Sequence, residues 1–294
     1  MTHVVTLVTC RRWPDLSSSD RRYAEALRVR NCVVQVAPWN GARTPFINAQ
    51  AVVLRANWDY HHELAAFTAW LTWLEQGGIP VFNSASLVRW NLDKRYLLAL
   101  AGAGVLIPAT RVVSPEPTAV ARAMRAAGWR RAVAKPVIGA SGHNVWLIED
   151  GAEATLALLR GLSPSPGEAY LLQEFIPEVQ AGELSCVFFD GVFSHAFLRV
   201  PSRGEFRVNS QYGGRLMPAY PPATVVRQAR AVLDCLPEVP LYARVDGVVR
   251  AGQLLVMELE LNEPALALDL APHAAERFAT ATLRRLQRWW YSKP

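Results

Sequence analysis

Apolar and polar positions in the first ninety residues follow two different periods. HVVTLVT, CVVQVAPW and AQAVVLRA are short runs rich in β-branched residues, as buried strands require. Between them, DRRYAEALRVR places apolar residues at helical spacing, with Ser18 or Ser19 as the expected N-cap. HHELAAFTAWLTWLEQGG gives the clearest helical stripe: Leu64, Phe67, Leu71 and Leu74 share a face, and Gly77-Gly78 supplies the stop. IPVFN closes the set. Short apolar strands alternating with helices predict a small parallel sheet covered on both faces, a doubly wound α/β domain over residues 1–88.

From about Ser84 the pattern changes to helix-rich NLDKRYLLALAGAG and then to pieces of antiparallel sheet, an α+β arrangement. AKPVIGASGHNVWLI reads as strand, turn and strand, and Pro164, Pro166 and Gly167 mark a loop before AYLLQEFI. LSCVFFDGVFSHAFLRV carries Asp190-Gly191 between two β-rich arms, the signature of a two-residue hairpin turn. GEFRVNSQYGG reads as a strand with Arg207 and Asn209 on one face. HAAERFATATLRRLQRWW predicts a closing amphipathic helix whose tryptophans pack. The expected divisions of this half are 89–183 and 184–294.

Composition narrows the class. With 294 residues, 51% hydrophobic and 19% charged, the chain can bury a core in about two domains. The net charge of +6 is spread in short pairs such as Arg21-Arg22, Arg130-Arg131 and Arg284-Arg285, which argues against a nucleic-acid partner and leaves a small anion. Cys10, Cys32, Cys186 and Cys235 show no C-x-x-C spacing, which suits a reducing cytoplasm. MTHVVTLVTC is too short for a secretory signal, and no apolar run approaches the roughly 18 residues of a membrane span. No P-loop, dinucleotide, hydrolase or zincin signature is present.

The remaining chemistry has one theme. Lys135 in AVAKPV sits among apolar residues, where an ammonium needs an anion; the turn Gly139, Ala140, Ser141 and Gly142 is small enough to bring backbone N–H groups close to phosphate. A glycine-rich hairpin with a snorkelling lysine is the bland alternative. In LLVMELELNEP, Glu258, Glu260 and Asn262 project from one strand face near Asp246, a donor set suited to Mg²⁺ or, without a cation, a solvated acidic face. Arg199, Arg207 and Asn209 add groups suited to phosphate or carboxylate, and Gly213-Gly214 lets backbone approach a substrate.

These residues together resemble the ATP-grasp superfamily, glutathione-synthetase-like branch, over roughly residues 91 to 279. DKRYLLAL is similar to its first lysine motif, with Lys94, and AKPVIGASG to its second lysine and mobile loop. QEFIPE resembles the adenine segment, implying contacts from Glu174, Phe175 and Ile176; Glu183 is similar to the acidic residue near ribose. RGEFRVNSQYGG resembles the arginine–asparagine segment, and VDGVVRAGQLLVMELEL the metal strand pair, with Glu260 where the glutamate ligases carry asparagine. An alternative register uses Glu260 and Asn262; the Asp246 spacing favours Glu258 with Glu260.

The resemblance implies an ATP-grasp fold behind a pre-ATP-grasp domain, ATP and Mg²⁺ as cofactors, and an acyl phosphate formed on a small amino-acid-like carboxylate. Arg55, Asn57, Asp59 and Tyr60, at a strand end of the first domain, are the candidate substrate contacts. CRRWPDL, LRANWDY and FFDGVFSHAFLR point to the subgroup that includes a cyclo-ligase acting on O-ureido-D-serine. Intermolecular ligation and a non-catalytic ATP-binding regulator are the alternatives. Homo-oligomer formation is left open.

Overall fold

A computed structural model describes residues 3–149 and 169–291. Four parallel strands, β1 (His3–Thr9), β2 (Cys32–Pro38), β3 (Ala51–Leu54) and β4 (Val81–Phe82), form a sheet in the order β2-β1-β3-β4. Successive side chains point to opposite faces, so Val5, Leu7, Ala51 and Val53 pack towards helix α1 (Ser18–Arg28). Val8, Val52 and Leu54 pack on the other side with Phe46 of the short helix α2 (Thr44–Ile47) and with Phe67, Trp70 and Leu71 of α3 (Leu64–Gln76). Both faces are covered, as a doubly wound sheet requires. The cap of α1 is Ser17 rather than Ser18 or Ser19: Ser17 stays extended and its hydroxyl accepts from Asp20 N at 3.0 Å, while the next two serines already lie in the first turn.

NLDKRYLLAL forms two helices, α4 (Ala85–Leu92) and α5 (Tyr96–Gly102), because Asp93 turns extended between them. Lys94 occupies that break. An antiparallel sheet follows, built from β5 (Thr110–Val113), β6 (Arg131–Pro136), β7 (Trp146–Glu149) and β8 (Tyr170–Glu174) in the order β5-β8-β6-β7. Helix α6 (Pro117–Ala127) covers it by seating Val120 and Met124 on Ala132, Ala134 and Leu172. The loop expected at Pro164, Pro166 and Gly167 lies outside the described residues.

The largest sheet has the order β11-β10-β9-β12-β13, from β9 (Glu183–Phe189), β10 (Val192–Val200), β11 (Arg215–Ala219), β12 (Tyr242–Arg250) and β13 (Gln253–Glu260). Asp190 and Gly191 both take positive φ in the β9–β10 turn, the geometry of a type I′ hairpin. Leu184, Cys186, Val245 and Leu259 face helix α7 (Ala223–Asp234). On the opposite face Val187, Phe189, Phe197 and Tyr242 lie under α8 (Ala274–Tyr291), which also meets α1. Tyr23 stacks on Phe278 with ring centroids 3.9 Å apart and shares a 2.7 Å hydrogen bond with Thr282, so α8 joins the first sheet to the last. Trp289 packs on this core, whereas Trp290 is half exposed.

Residues 201–214 hold no strand. Gly204 and Gly213 take positive φ, a 3-10 turn spans Ser210–Tyr212, and Gly214 N returns to Asn209 O at 3.2 Å. A Cβ on Gly214 would meet Val208 O at 2.1 Å, so the second glycine lets this segment fold back on itself.

Candidate active site

Strand register assembles a row of charges on one face of the large sheet. Arg199 on β10 is paired with Glu183 on β9, Ser185 on β9 with Asp246 on β12, and Asp246 in turn with Glu258 on β13; Arg244 pairs with Glu260. Side chains follow the register. Arg199 is ion-paired with Glu183 and reaches Asp246 at 2.6 Å, Ser185 donates to Asp246 at 2.7 Å, and Arg244 clasps Asp246 at 2.9 Å while also reaching Glu260. From across the cleft, Lys94 Nζ meets Glu258 at 2.8 Å and Lys135 Nζ donates to Met257 O at 3.4 Å. Lys135 and Glu258 thus share one cleft.

Three buried cations, Lys135, Arg199 and Arg244, and the partly buried Lys94 lie among the carboxylates of Glu183, Asp246, Glu258, Glu260 and Glu263. Burial alone would lower Lys94, but Glu258, Glu260 and Glu263 outweigh it and hold the amine above its ordinary value. Lys135 has no such bond, and burial, reinforced by Lys94, pulls it down to about 8. Burial would raise Glu258; the two lysines and Arg199 prevail and hold it low. Glu260 is pushed up by burial and by Glu258 and Asp246, against Arg244. Glu263 is pushed up to about 8, chiefly by burial and then by Glu260. Arg199, Arg244 and Lys94 offset part of this mutual repulsion. One oxygen from each of Asp246, Glu258 and Glu260 lies within 4.8 Å of the others, so the donor set suits a hard cation.

The small-residue turn packs against the first domain and against residues 207–212. Ala140 packs on the core of the first domain, and Gly142, at φ +69°, lies so close to residues 207–212 that an added Cβ would meet Asn209 Oδ1 and Tyr212 at 3.1 Å. Gln211 donates to Ser141 O, and the Tyr212 hydroxyl donates to Gly142 O at 3.2 Å. His143 brings its ring within 6.1 Å of His61 and 6.0 Å of His62. Arg207 turns to Glu205 at 2.7 Å and lies 3.6 Å over the Tyr212 ring, away from the carboxylate row. Phe175, Ile176 and Val248 form a buried apolar cluster against which the partly buried Val133, Leu147 and Met257 pack; Phe175 N donates to Arg131 O at 3.2 Å, and Glu174 lies exposed at the strand end.

The first-domain candidates divide. Arg55 is 1% exposed and committed to Asp20 at 2.7 Å and to Pro264 O at 2.6 Å; Asp59 accepts from Trp39 at 2.7 Å and Asn40 at 3.2 Å. Asn57 and Tyr60 turn instead towards the segment after β13: Asn57 bonds the Asn262 amide, and burial with Glu263, Glu260 and Glu258 holds the Tyr60 hydroxyl well above its usual range. In that bond Asn262 Oδ1 is the acceptor, at 3.0 Å.

Several contributors escaped sequence reasoning. The open edge of β13 is covered by Asn91, whose amide donates to Leu259 O and accepts from Leu261 N, both at 2.8 Å, and by the Tyr96 hydroxyl on Leu259 N at 3.0 Å. Asn83 serves the β12 side, binding Tyr242 O at 2.9 Å and Leu241 N at 2.6 Å. These bonds set the height of Glu258 and Glu260. The position of Ser185 two residues after Glu183 on one strand was the available signal; nothing local marks the asparagines.

Residues 5–83 match the family described as D-cycloserine synthetase DcsG, N-terminal domain, and residues 98–236 match the ATP-grasp domain of prokaryotic glutathione synthetase. The chain belongs to the ATP-grasp superfamily, in the branch with the DcsG-type first domain, and is an ATP-using, ADP-forming C–N ligase. It is 32% identical to the cycloserine biosynthesis protein DcsG of Streptomyces lavendulae, covering 90% of this chain and 92% of that one. The crystal structure of D-cycloserine synthetase DcsG superposes with a TM-score of 0.83 at 29% identity, covering 96% and 99% of the two chains. A probable alpha-L-glutamate ligase of Enterobacter sp. (strain 638) is 27% identical over 71% of this chain and 69% of its own length. Among the described residues no helix is long and apolar enough to cross a membrane.

Proposed function

We propose that this enzyme closes the ring of D-cycloserine, using ATP to activate the carboxylate of O-ureido-D-serine for attack by a nitrogen of the same molecule. The observation that carries this reading is the similarity to DcsG across both domains, 32% identity over 90% of the chain, joined to a cleft in which Lys135 and Glu258 face each other. The reaction is an exchange of leaving groups: a substrate oxygen takes the γ-phosphoryl group from ADP, the oxygen-bound nitrogen takes the acyl carbon from phosphate, and water takes the carbamoyl group from that nitrogen as carbamic acid, which breaks down to CO₂ and ammonia.

Each part of the cleft has a task. The apolar cluster of Val133, Phe175, Ile176 and Met257 suits one face of adenine, with Glu183 towards the ribose. Lys94 and Lys135 neutralise phosphate oxygens once they exchange their protein partners for nucleotide. Asp246, Glu258 and Glu260 would hold Mg²⁺, which supplies positive charge to those oxygens. Arg199, released in part from Asp246, stands beside the transferring group. The Gly139–Gly142 turn, braced by Asn209 and Tyr212, excludes water that would hydrolyse an acyl phosphate. Residues 1–88 form the substrate side, residues 89–183 the lid and adenine side, and residues 184–294 the metal and phosphate side. Holding nitrogen and carbonyl in one folded conformer can lower the second barrier by about 7–11 kcal/mol.

Incubation with ATP, Mg²⁺ and O-ureido-D-serine alone tests the reading. Release of ADP and phosphate with D-cycloserine detected by mass spectrometry is expected. Product formation only after a separate amine or glutamate is added would favour the intermolecular ligase instead.

A further inference from the structure

Beside the carboxylate row, Asn57 Oδ1, Asn262 Nδ2 and Glu263 Oε2 are buried without a hydrogen-bond partner. Asn57 is fully buried and Asn262 is 4% exposed. Asn57 Nδ2 donates to Asn262 Oδ1 at 3.0 Å, and the Tyr60 hydroxyl lies beside the Asn262 amide. The backbone around them is fully tied: Tyr242 donates to Asn262 O at 2.8 Å, Trp58 to Glu263 O at 3.3 Å and Arg55 to Pro264 O at 2.6 Å. Anchored backbone with unsatisfied side chains is the condition of a pre-organised binding site.

Resting on the function proposed above, we infer that Asn57, Asn262 and Glu263 form the amino-acid subsite, Glu263 holding the substrate ammonium and the asparagine pair its carbamoyl group. The charge fits, because Glu263 stands beside Glu260 and Glu258 with its Oε2 unpartnered, and an ammonium would donate to that oxygen directly. Position fits as well. Glu263 follows the metal strand by three residues, and an α-amino group is separated from its carboxylate by one carbon, so the carboxylate comes to the phosphate side of the cleft. A carbamoyl group presents one carbonyl and one N–H edge together, which matches one donor and one acceptor; a carboxylate or an ammonium matches only one of them.

The test compares O-ureido-D-serine with its des-amino analogue, 3-(ureidooxy)propionate, in wild type and Glu263→Gln. The variant should lose about 100-fold in kcat/KM for the amino substrate, equivalent to about 2.7 kcal/mol, and less than about threefold for the analogue. Asn57→Ala should raise KM for both compounds by about tenfold with little change in kcat. An unchanged ADP-induced melting shift certifies folding, and Glu263→Asp serves where Glu263→Gln does not fold. Equal losses for both compounds with Glu263→Gln, or no loss for either, overturn the subsite. If wild type ignores O-ureido-D-serine but activates another amino acid, the cyclisation reading fails, and the same pair of measurements with that acid and its des-amino form still decides the role of Glu263.

Discussion

Replacing Arg55 with methionine separates a structural role from a substrate contact. Its guanidinium holds Asp20 of α1 at 2.7 Å, Pro264 O at 2.6 Å and Leu54 O at 3.2 Å, and lies 5.1 Å over the Tyr242 ring. Methionine keeps the bulk but leaves the Asp20 charge buried with Ser17 as its remaining partner, and leaves Pro264 O without that donor. Breaking a buried ion pair from one side costs about 3–5 kcal/mol. Adding Asp20→Leu removes the stranded charge, so the double variant should be about 1–3 kcal/mol more stable than the sum of the singles. Urea unfolding followed by tryptophan fluorescence measures all four proteins. Wild-type stability in Arg55→Met, with only the substrate KM raised, would refute this reasoning and return Arg55 to the substrate.

Lys135→Ala should abolish substrate-dependent ADP release while keeping the wild-type unfolding midpoint; a folded variant with near-normal turnover would contradict the cleft. Because free Lys135 sits near 8, ATP affinity should weaken by up to about tenfold per pH unit above that value, and isothermal titration at pH 7 to 9.5 would reveal a flat profile if the amine were not required. His61 is held at about 4 by burial, then by His62 and His143, so the fold favours its neutral form. Its stabilising contribution is complete above about 6.5 and is lost as pH falls from there towards 4; melting curves of His61→Gln should show a shallower acid slope than wild type, and an identical slope would reject the linkage. Asn91→Leu strips two bonds from the edge of β13 and should lower kcat by at least about tenfold, with ATP affinity weakened; unchanged kinetics would mean that Glu258 and Glu260 need no such support.

Periodicity made the sheets legible, because alternation states which side of a strand is buried. Glu258, Leu259, Glu260 and Leu261 announce one acidic and one apolar face, and the Asp190-Gly191 turn pairs Val192 with Phe189, but a bulge between Phe193 and His195 then shifts the register so that Glu183 stands opposite Arg199. Remote partners carry no such local mark. Arg55 and Asp59 read as strand-end functional groups because Asp20, Pro264 and Trp39 lie far away in sequence. GEFRVNSQYGG read as a strand because its alternation outweighed Gly204 and Gly213, whose positive φ bends the segment back on itself. Asn83 and Asn91 were invisible for a further reason: an amide that completes a sheet edge depends on where that edge ends up, not on neighbouring residues.

The acyl phosphate can be tested by isotope transfer. O-Ureido-D-serine labelled with ¹⁸O in its carboxylate should, after turnover with ATP, give inorganic phosphate carrying one labelled oxygen alongside unlabelled ADP. Label recovered in AMP, or phosphate whose only new oxygen comes from solvent, would contradict phosphoryl transfer to the carboxylate in this cleft.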